Sequence, residues 1–183
     1  MTSTDVTITS SIDPRPSWLT VDEWPFPLSG LEVGGRRIAY TDTGEGPALL
    51  LVHTGMWSFV WRDVIGRLAD RFRVVTLDAP GTGLSDGSAQ VDFAVAADAV
   101  DALVRCLDLD DIVLVFHDLG GPVTLEAAAR WPERVAGLVA VNAFGWQPSG
   151  VPFRAMLGIM GSAPMRELDA ATGFLSAATS TRL

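Results

Sequence analysis

The 183-residue chain contains no lysine: all 13 of its basic residues are arginine, set against 22 acidic residues for a net charge of −9. The arginines are scattered rather than striped, which excludes the basic patch that nucleic acid or an anionic lipid surface requires. The acidity favours solubility and disfavours anionic partners, but it names no substrate. A single cysteine, Cys106, excludes an internal disulfide framework and a cysteine-based zinc site. Two histidines leave few ligands for a metal, and neither metal nor cofactor is expected. No apolar run is long enough to span a bilayer. Residues 1–11 are rich in Ser and Thr and lack the basic start and apolar stretch of a secretory signal. The expectation is a cytoplasmic protein with no nucleic-acid or membrane partner.

What is present is a foldable composition. With 48% hydrophobic and 19% charged residues, disorder is excluded, and the length suits one domain with a real core. Residues 1–17 read as a flexible arm. The segment Trp24-Pro25-Phe26-Pro27 reads as extended chain laid over a sheet. Two strand-like runs about Gly34-Gly35 predict an antiparallel hairpin. Continuous apolar runs follow at Ala48–Val52, Phe72–Leu77, Ile112–Phe116 and Val135–Val141, as in strands buried on both faces. Between them lie helical patterns at Phe59–Ala69, with Val60, Val64, Ile65 and Leu68 on one face, at Val91–Leu107 and at Gly121–Trp131. This alternation predicts an α/β fold: a doubly wound, mostly parallel sheet preceded by the hairpin.

Ligands of such sheets bind outside the carboxyl ends of the strands. Three segments end there: His53-Thr54-Gly55, Asp78 with its glycine loop, and Phe116-His117-Asp118-Leu119-Gly120-Gly121. In the last, small residues permit a tight strand-to-helix turn that lifts Asp118 to an apex, the geometry of a nucleophile elbow. The following helix would point its N-terminus at that carboxylate and favour its charge. Asp is also a preferred helix cap, so local sequence leaves two readings of Asp118 open, nucleophile or cap.

Between Pro25 and Gln147 the chain resembles the α/β-hydrolase superfamily, and within it the Asp-nucleophile branch of haloalkane dehalogenases and epoxide hydrolases. The resemblance rests on Val52-His53-Thr54-Gly55, Trp57 to Arg62, Leu77 to Asp86, the His117–Gly121 turn and the strand from Arg134 to Asn142, all in family order and spacing. It implies that Asp118 attacks a small apolar electrophile, an epoxide, a haloalkane or a related compound, to form an ester that activated water then hydrolyses. It implies oxyanion donors at Leu119 and at Thr54 or Gly55, loop-holding roles for His53 and His117, and a substrate contact at Trp57. The residue after the nucleophile, Trp in most dehalogenases, is Leu119 here. The only tyrosine, Tyr40, lies in the hairpin rather than in a cap.

By the same resemblance, residues 18–144 correspond to the first part of the hydrolase core. Residues 145–183 correspond to the start of a helical cap. The last two strands, the catalytic His and its acid are expected outside this chain, which reads as a fragment or a natural truncation. Three functions stay open: an Asp-nucleophile hydrolase, a non-catalytic relic or binding fragment, and an esterase-type hydrolase using Ser, against which stands the placement of Ser58 and Ser85 on no elbow. Without a further strand beside Leu138–Asn142, that apolar edge is expected to drive self-association.

Overall fold

Runs of branched and aliphatic residues become the centre of a seven-stranded sheet in the computed structural model, which describes residues 6–9, 15–54, 57–87, 92–146, 150–160 and 162–173. The strands are β1 (Val6–Thr9), β2 (Ser29–Val33), β3 (Arg36–Thr43), β4 (Ala48–Thr54), β5 (Arg73–Leu77), β6 (Ile112–Asp118) and β7 (Val135–Ala143). Their spatial order is β1-β2-β3-β5-β4-β6-β7. The first three strands are antiparallel to one another, β3 joins β5 antiparallel, and β5, β4, β6 and β7 run parallel. The sheet is therefore mixed, with the expected hairpin formed by β2 and β3 about Gly34-Gly35. The Arg73 guanidinium donates to both carboxylate oxygens of Asp42, at 2.9 and 2.6 Å, and locks β3 to β5 where the two halves meet.

Two departures have local causes. Residues 6–9 lie within the expected arm but pair with β2, from Val6 opposite Val33 to Thr9 opposite Gly30. The run Val6-Thr7-Ile8-Thr9 is entirely β-branched, and the outer edge of β2 offers it unpaired backbone groups. The helix expected over Phe59–Ala69 is instead a 3₁₀ turn, Ser58–Trp61, followed by α1 (Arg62–Leu68). The tighter turn shifts the phase of the apolar face. Val60 is 43% exposed, and Trp61 takes its place in the core.

Side chains alternate across the strands into two cores. On one face, Leu50, Val52, Val75, Leu77, Ile112, Leu114 and Phe116 pack with α2 (Phe93–Cys106) and α3 (Gly120–Ala128). Alanines 96, 97, 99 and 102 let α2 lie close. The Asp92 carboxylate starts that helix by accepting from the N–H groups of Ala94 and Val95. On the other face, Leu49, Leu51 and Val74 pack with Trp61, Ile65 and the aromatic segment at Trp24. The Trp24 indole N–H donates to the Thr41 hydroxyl, which donates to the Pro27 carbonyl, so this segment lies on the sheet as expected.

The chain divides into two compact units, Met1–Trp146 and Gln147–Leu183. In the second, α4 (Val151–Met160) and α5 (Ala163–Thr172) follow one another through Ser162, and Gly173 ends α5 in a left-handed conformation at φ +62°. Among the described residues no helix is long and apolar enough to cross a membrane.

At the sheet margin, Leu138 and Val139 point to opposite faces and are 53% and 45% exposed. Each apolar side chain left uncovered forfeits about 1.5–3 kcal/mol of burial. The 183-residue polypeptide is therefore expected to sediment as oligomers. Lysines at both positions, Leu138→Lys with Val139→Lys, should return it toward monomer. A wild-type polypeptide that sediments as a single monomeric species would contradict this.

Candidate functional site

The strand order fixes where a site can form. From β4 the chain moves to β5 on one side, then returns to β6 on the other, so the winding reverses between β4 and β6. The crevice of a doubly wound sheet opens at that reversal, outside the carboxyl ends. Register places His53 beside His117 and Thr54 beside Asp118 at that point.

Asp118 ends β6 with φ +51°, a left-handed conformation that costs a residue with a Cβ on the order of 1–3 kcal/mol. Leu119 is already helical at φ −70° and ψ −5°, and α3 begins at Gly120. The reversal from strand to helix is thus completed within one residue. It depends on the next two having no side chain. A Cβ on Gly120 would sit 2.6 Å from the Val52 carbonyl oxygen, and one on Gly121 would collide with the Phe144 carbonyl. The cap of α3 is Leu119, with no side-chain cap hydrogen bond. Capping therefore does not account for Asp118. Its half-buried carboxylate makes no hydrogen bond or ion pair among the described residues.

The two histidines share the face turned toward α1, opposite to that of Phe116. Their ring centroids are 5.0 Å apart, and the Trp61 ring lies edge-on to His117 at 6.3 Å. His53 is buried, and neither of its ring nitrogens has a hydrogen-bond partner among the described residues. Burial pushes its pKa down, the neighbouring His117 pushes it further, and the charge of Asp118 opposes both. Burial and the neighbouring His117 thus favour the neutral ring, and the loop that His53 is expected to hold includes residues 55 and 56, which lie outside the described residues. Thr54 is the last residue of β4, and Gly55 lies outside the described residues.

A group that sequence reasoning left without a role does hold the neighbouring loop. Asp78, just past the end of β5, is 3% exposed. Its Oδ1 accepts the Ser58 N–H at 3.0 Å and its Oδ2 accepts the Leu84 N–H at 2.8 Å. Burial raises its pKa, while hydrogen bonds from Leu84, from Ser58 and from the Trp57 side chain favour the charged form. The Trp57 indole is turned to Asp78 and its ring is stacked on Phe59 at 4.6 Å. Ser58 is engaged with the same carboxylate. The Ser85 hydroxyl donates to the Asp78 carbonyl and accepts from the Ala39 N–H. Neither serine is available as a nucleophile in this arrangement. The signal for Asp78 was an acidic residue closing an apolar strand before a glycine loop. Among the described residues no cluster of three or more His, Cys, Asp or Glu side chains is arranged to hold a metal ion.

Residues 47–171 match the model of the alpha/beta hydrolase fold family. Haloalkane dehalogenase 2 of Mycobacterium bovis is 34% identical over 146 residues, covering 78% of this chain and 51% of that protein. A cis-3-alkyl-4-alkyloxetan-2-one decarboxylase of Shewanella oneidensis is 34% identical over 124 residues, 64% of this chain and 39% of that protein. Among solved structures, a point mutant of the haloalkane dehalogenase DatA from Agrobacterium tumefaciens C58 superposes with a TM-score of 0.59 at 26% identity, over 63% of this chain and 41% of that one. The chain thus spans about half the length, or less, of the relatives it matches.

Two outcomes follow from this geometry. Asp118→Gly removes the penalty of the left-handed φ, less the chain entropy that glycine adds, and should raise stability by on the order of 1 kcal/mol. A cooperative denaturant melt measures it, and a loss of stability would mean that the Asp118 side chain supports the turn. For His53 the sign follows from its lowered pKa. Below the ordinary value of 6.5 the unfolded chain takes up a proton that the folded chain resists, so stability is full above that pH and declines beneath it. His53→Phe should flatten the fall in Tm between about pH 7.5 and pH 5.5. Equal slopes in the two proteins would show that His53 is not held neutral.

Proposed function

Because the chain belongs to the α/β-hydrolase fold family, we propose that it carries the nucleophile half of a hydrolase site, with Asp118 as the attacking group. Its likeness falls on the haloalkane dehalogenase branch. The observation that carries the reading is the turn itself: a carboxylate without a partner among the described residues, held at φ +51° above the reversal point of the sheet. A strained backbone at an unpaired polar group points to use rather than to folding. The turn has the form of a nucleophile elbow, with Asp where an esterase would carry Ser.

A carboxylate suits attack on saturated carbon. One oxygen of Asp118 forms a bond to the electrophilic carbon as the carbon–halogen or ring carbon–oxygen bond breaks, leaving an alkyl ester on the side chain. The substrate class is a small apolar haloalkane, epoxide or related electrophile. The relative named for an oxetan-2-one supports including other strained rings. Leu119 has no side-chain donor for a departing halide, which favours leaving groups that need no indole at that position. For hydrolysis of the ester, the Leu119 N–H and the N–H of Thr54 or Gly55 are the oxyanion donors in this reading. His53 and His117 face α1 and are assigned no part in activating water. A cytoplasmic setting belongs to the same proposal, supported by the single unpaired Cys106.

Incubation with bromobutane or an alkyl epoxide, followed by intact-mass and peptide analysis, should show one covalent alkyl adduct on Asp118. Asp118→Ala should show none. Labelling that persists in that variant would remove Asp118 from the role.

A further inference from the structure

We propose that Asn142 is the hydrogen-bond donor to the leaving oxygen when Asp118 opens an epoxide. This deepens the reading of Asp118 as nucleophile and rests on it. Four non-glycine residues have positive φ among the described residues: Asp108, Asp111, Asp118 and Asn142. The first two lie between α2 and β6, before the start of that strand. The other two stand at the neighbouring carboxyl ends of β6 and β7, Asp118 at φ +51° and Asn142 at φ +43°. Glycine takes this conformation without steric cost, and Asn takes it more readily than most residues. What Asn adds over glycine at this position is an amide.

A bulge puts that amide beside the nucleophile. His117 pairs with Val141 and Asp118 with Ala143, so Asn142 is an extra residue of β7 with no counterpart in β6. On the other side of β6 the ladder runs unshifted, with Thr54 opposite Asp118. Beyond the bulge the chain stays tied to β6, because the Phe144 N–H donates to the Asp118 carbonyl at 3.2 Å. An inserted residue of this kind re-aims a side chain next to a reactive group. The Asn142 amide makes no hydrogen bond among the described residues. Neighbouring strands stand about 4.8 Å apart, so the amide is within reach of a molecule bound at Asp118. In ring opening, one Asp118 oxygen bonds to a ring carbon and the carbon–oxygen bond breaks. Its electron pair leaves on the ring oxygen as an alkoxide, which takes a proton from water and releases hydroxide. An alkoxide is a strong base and a poor leaving group, so a donor aimed at it lowers the barrier far more than one aimed at bromide, a weak base. Leu119 offers no side-chain donor, whereas a primary amide offers two N–H bonds.

Labelling rates with epoxybutane and with bromobutane, followed by intact mass on the full chain, separate a donor from a structural residue. Asn142→Gly removes the amide and takes the left-handed φ freely. Asn142→Asp keeps the shape of the side chain but, ionised, accepts and cannot donate. In both variants the ratio of epoxide to bromide labelling rates should fall about 10- to 100-fold. The ratio is the readout because a disturbed turn slows both reagents alike. An unchanged ratio, with both rates held or both reduced, would overturn the inference and make Asn142 a structural residue of the bulge, while leaving Asp118 as nucleophile. A fall confined to Asn142→Asp would reflect charge repulsion and overturn it as well, as would labelling of wild type by bromobutane alone. Absence of any label on wild type, or label that persists in Asp118→Ala, would instead refute the reading of Asp118.

Discussion

The geometry of the site depends on one close approach: the start of α3 against the backbone carbonyls of Val52 and Phe144. No side chain fits there. A Cβ on Gly120 would stand 2.6 Å from the Val52 oxygen, and Gly121 is equally confined against Phe144. Two glycines let the helix descend onto the ends of β4 and β7 directly from β6. The chain must then reverse within a single residue, and Asp118 absorbs the strain at φ +51°. Remove the close approach and the carboxylate would have room to fold back onto the helix as an ordinary cap. Because Leu119 occupies that position and α3 receives no side-chain cap, the carboxylate stays uncommitted. The same packing sets Asp118 next to Thr54 through the β4–β6 ladder, so the turn and the neighbouring strand end are one construction.

Much of this was legible because it is local. Buried parallel strands announce themselves as unbroken runs such as Leu49-Leu50-Leu51-Val52, and the Asp-x-Gly-Gly spacing after β6 contains the sterics of the turn. What escaped was set by partners distant in sequence. Residues 6–9 read as an arm because their Ser- and Thr-rich surroundings give no hint of the edge of β2, about two dozen residues away, that pairs with them. Val60 and Trp61 exchanged roles because a 3₁₀ turn advances the phase by about 120° per residue rather than about 100°. The loop that His53 is expected to hold includes residues 55 and 56, which lie outside the described residues. The His53 ring lies against His117, and neither of its nitrogens has a hydrogen-bond partner among the described residues.

The contrast between the halves of the sheet also has a physical reading. On one face of β4 and β6, leucine, valine and isoleucine meet the alanine side of α2, giving a dense core that fixes the strand ends. On the other, Phe59 stacks with Trp24 and Trp57, Phe26 meets Trp24 edge-on, and the Arg62 guanidinium lies 4.8 Å over Phe59. Aromatic stacking of this kind covers area while tolerating polar groups at its rim. It is the side on which the loops after β4 and β5 meet, and it lets a buried carboxylate sit beside an indole.

Asp78 and Asp118 show how one residue type is divided between two tasks. Both close apolar strands, both precede glycine-containing turns, and their strands flank β4 on either side. After β5 the chain loops back over its strand end, and Gly83 clears the space for Leu84 to donate its N–H to Asp78. That carboxylate is enclosed and fully employed. After β6 the chain descends at once into α3, and the Phe144 N–H returns only to the Asp118 carbonyl, leaving the carboxylate without a hydrogen bond among the described residues. The difference is where the glycines stand: three to five residues beyond Asp78 they allow return, and two to three beyond Asp118 they enforce departure. A carboxylate bound by several donors is a poor nucleophile, because its charge is already neutralised by hydrogen bonds. In the proposed reading, the Asp118 carboxylate, without a hydrogen bond among the described residues, is the one that reacts. In that reading, the placement of glycine, more than that of aspartate, decides which of the two is left to react.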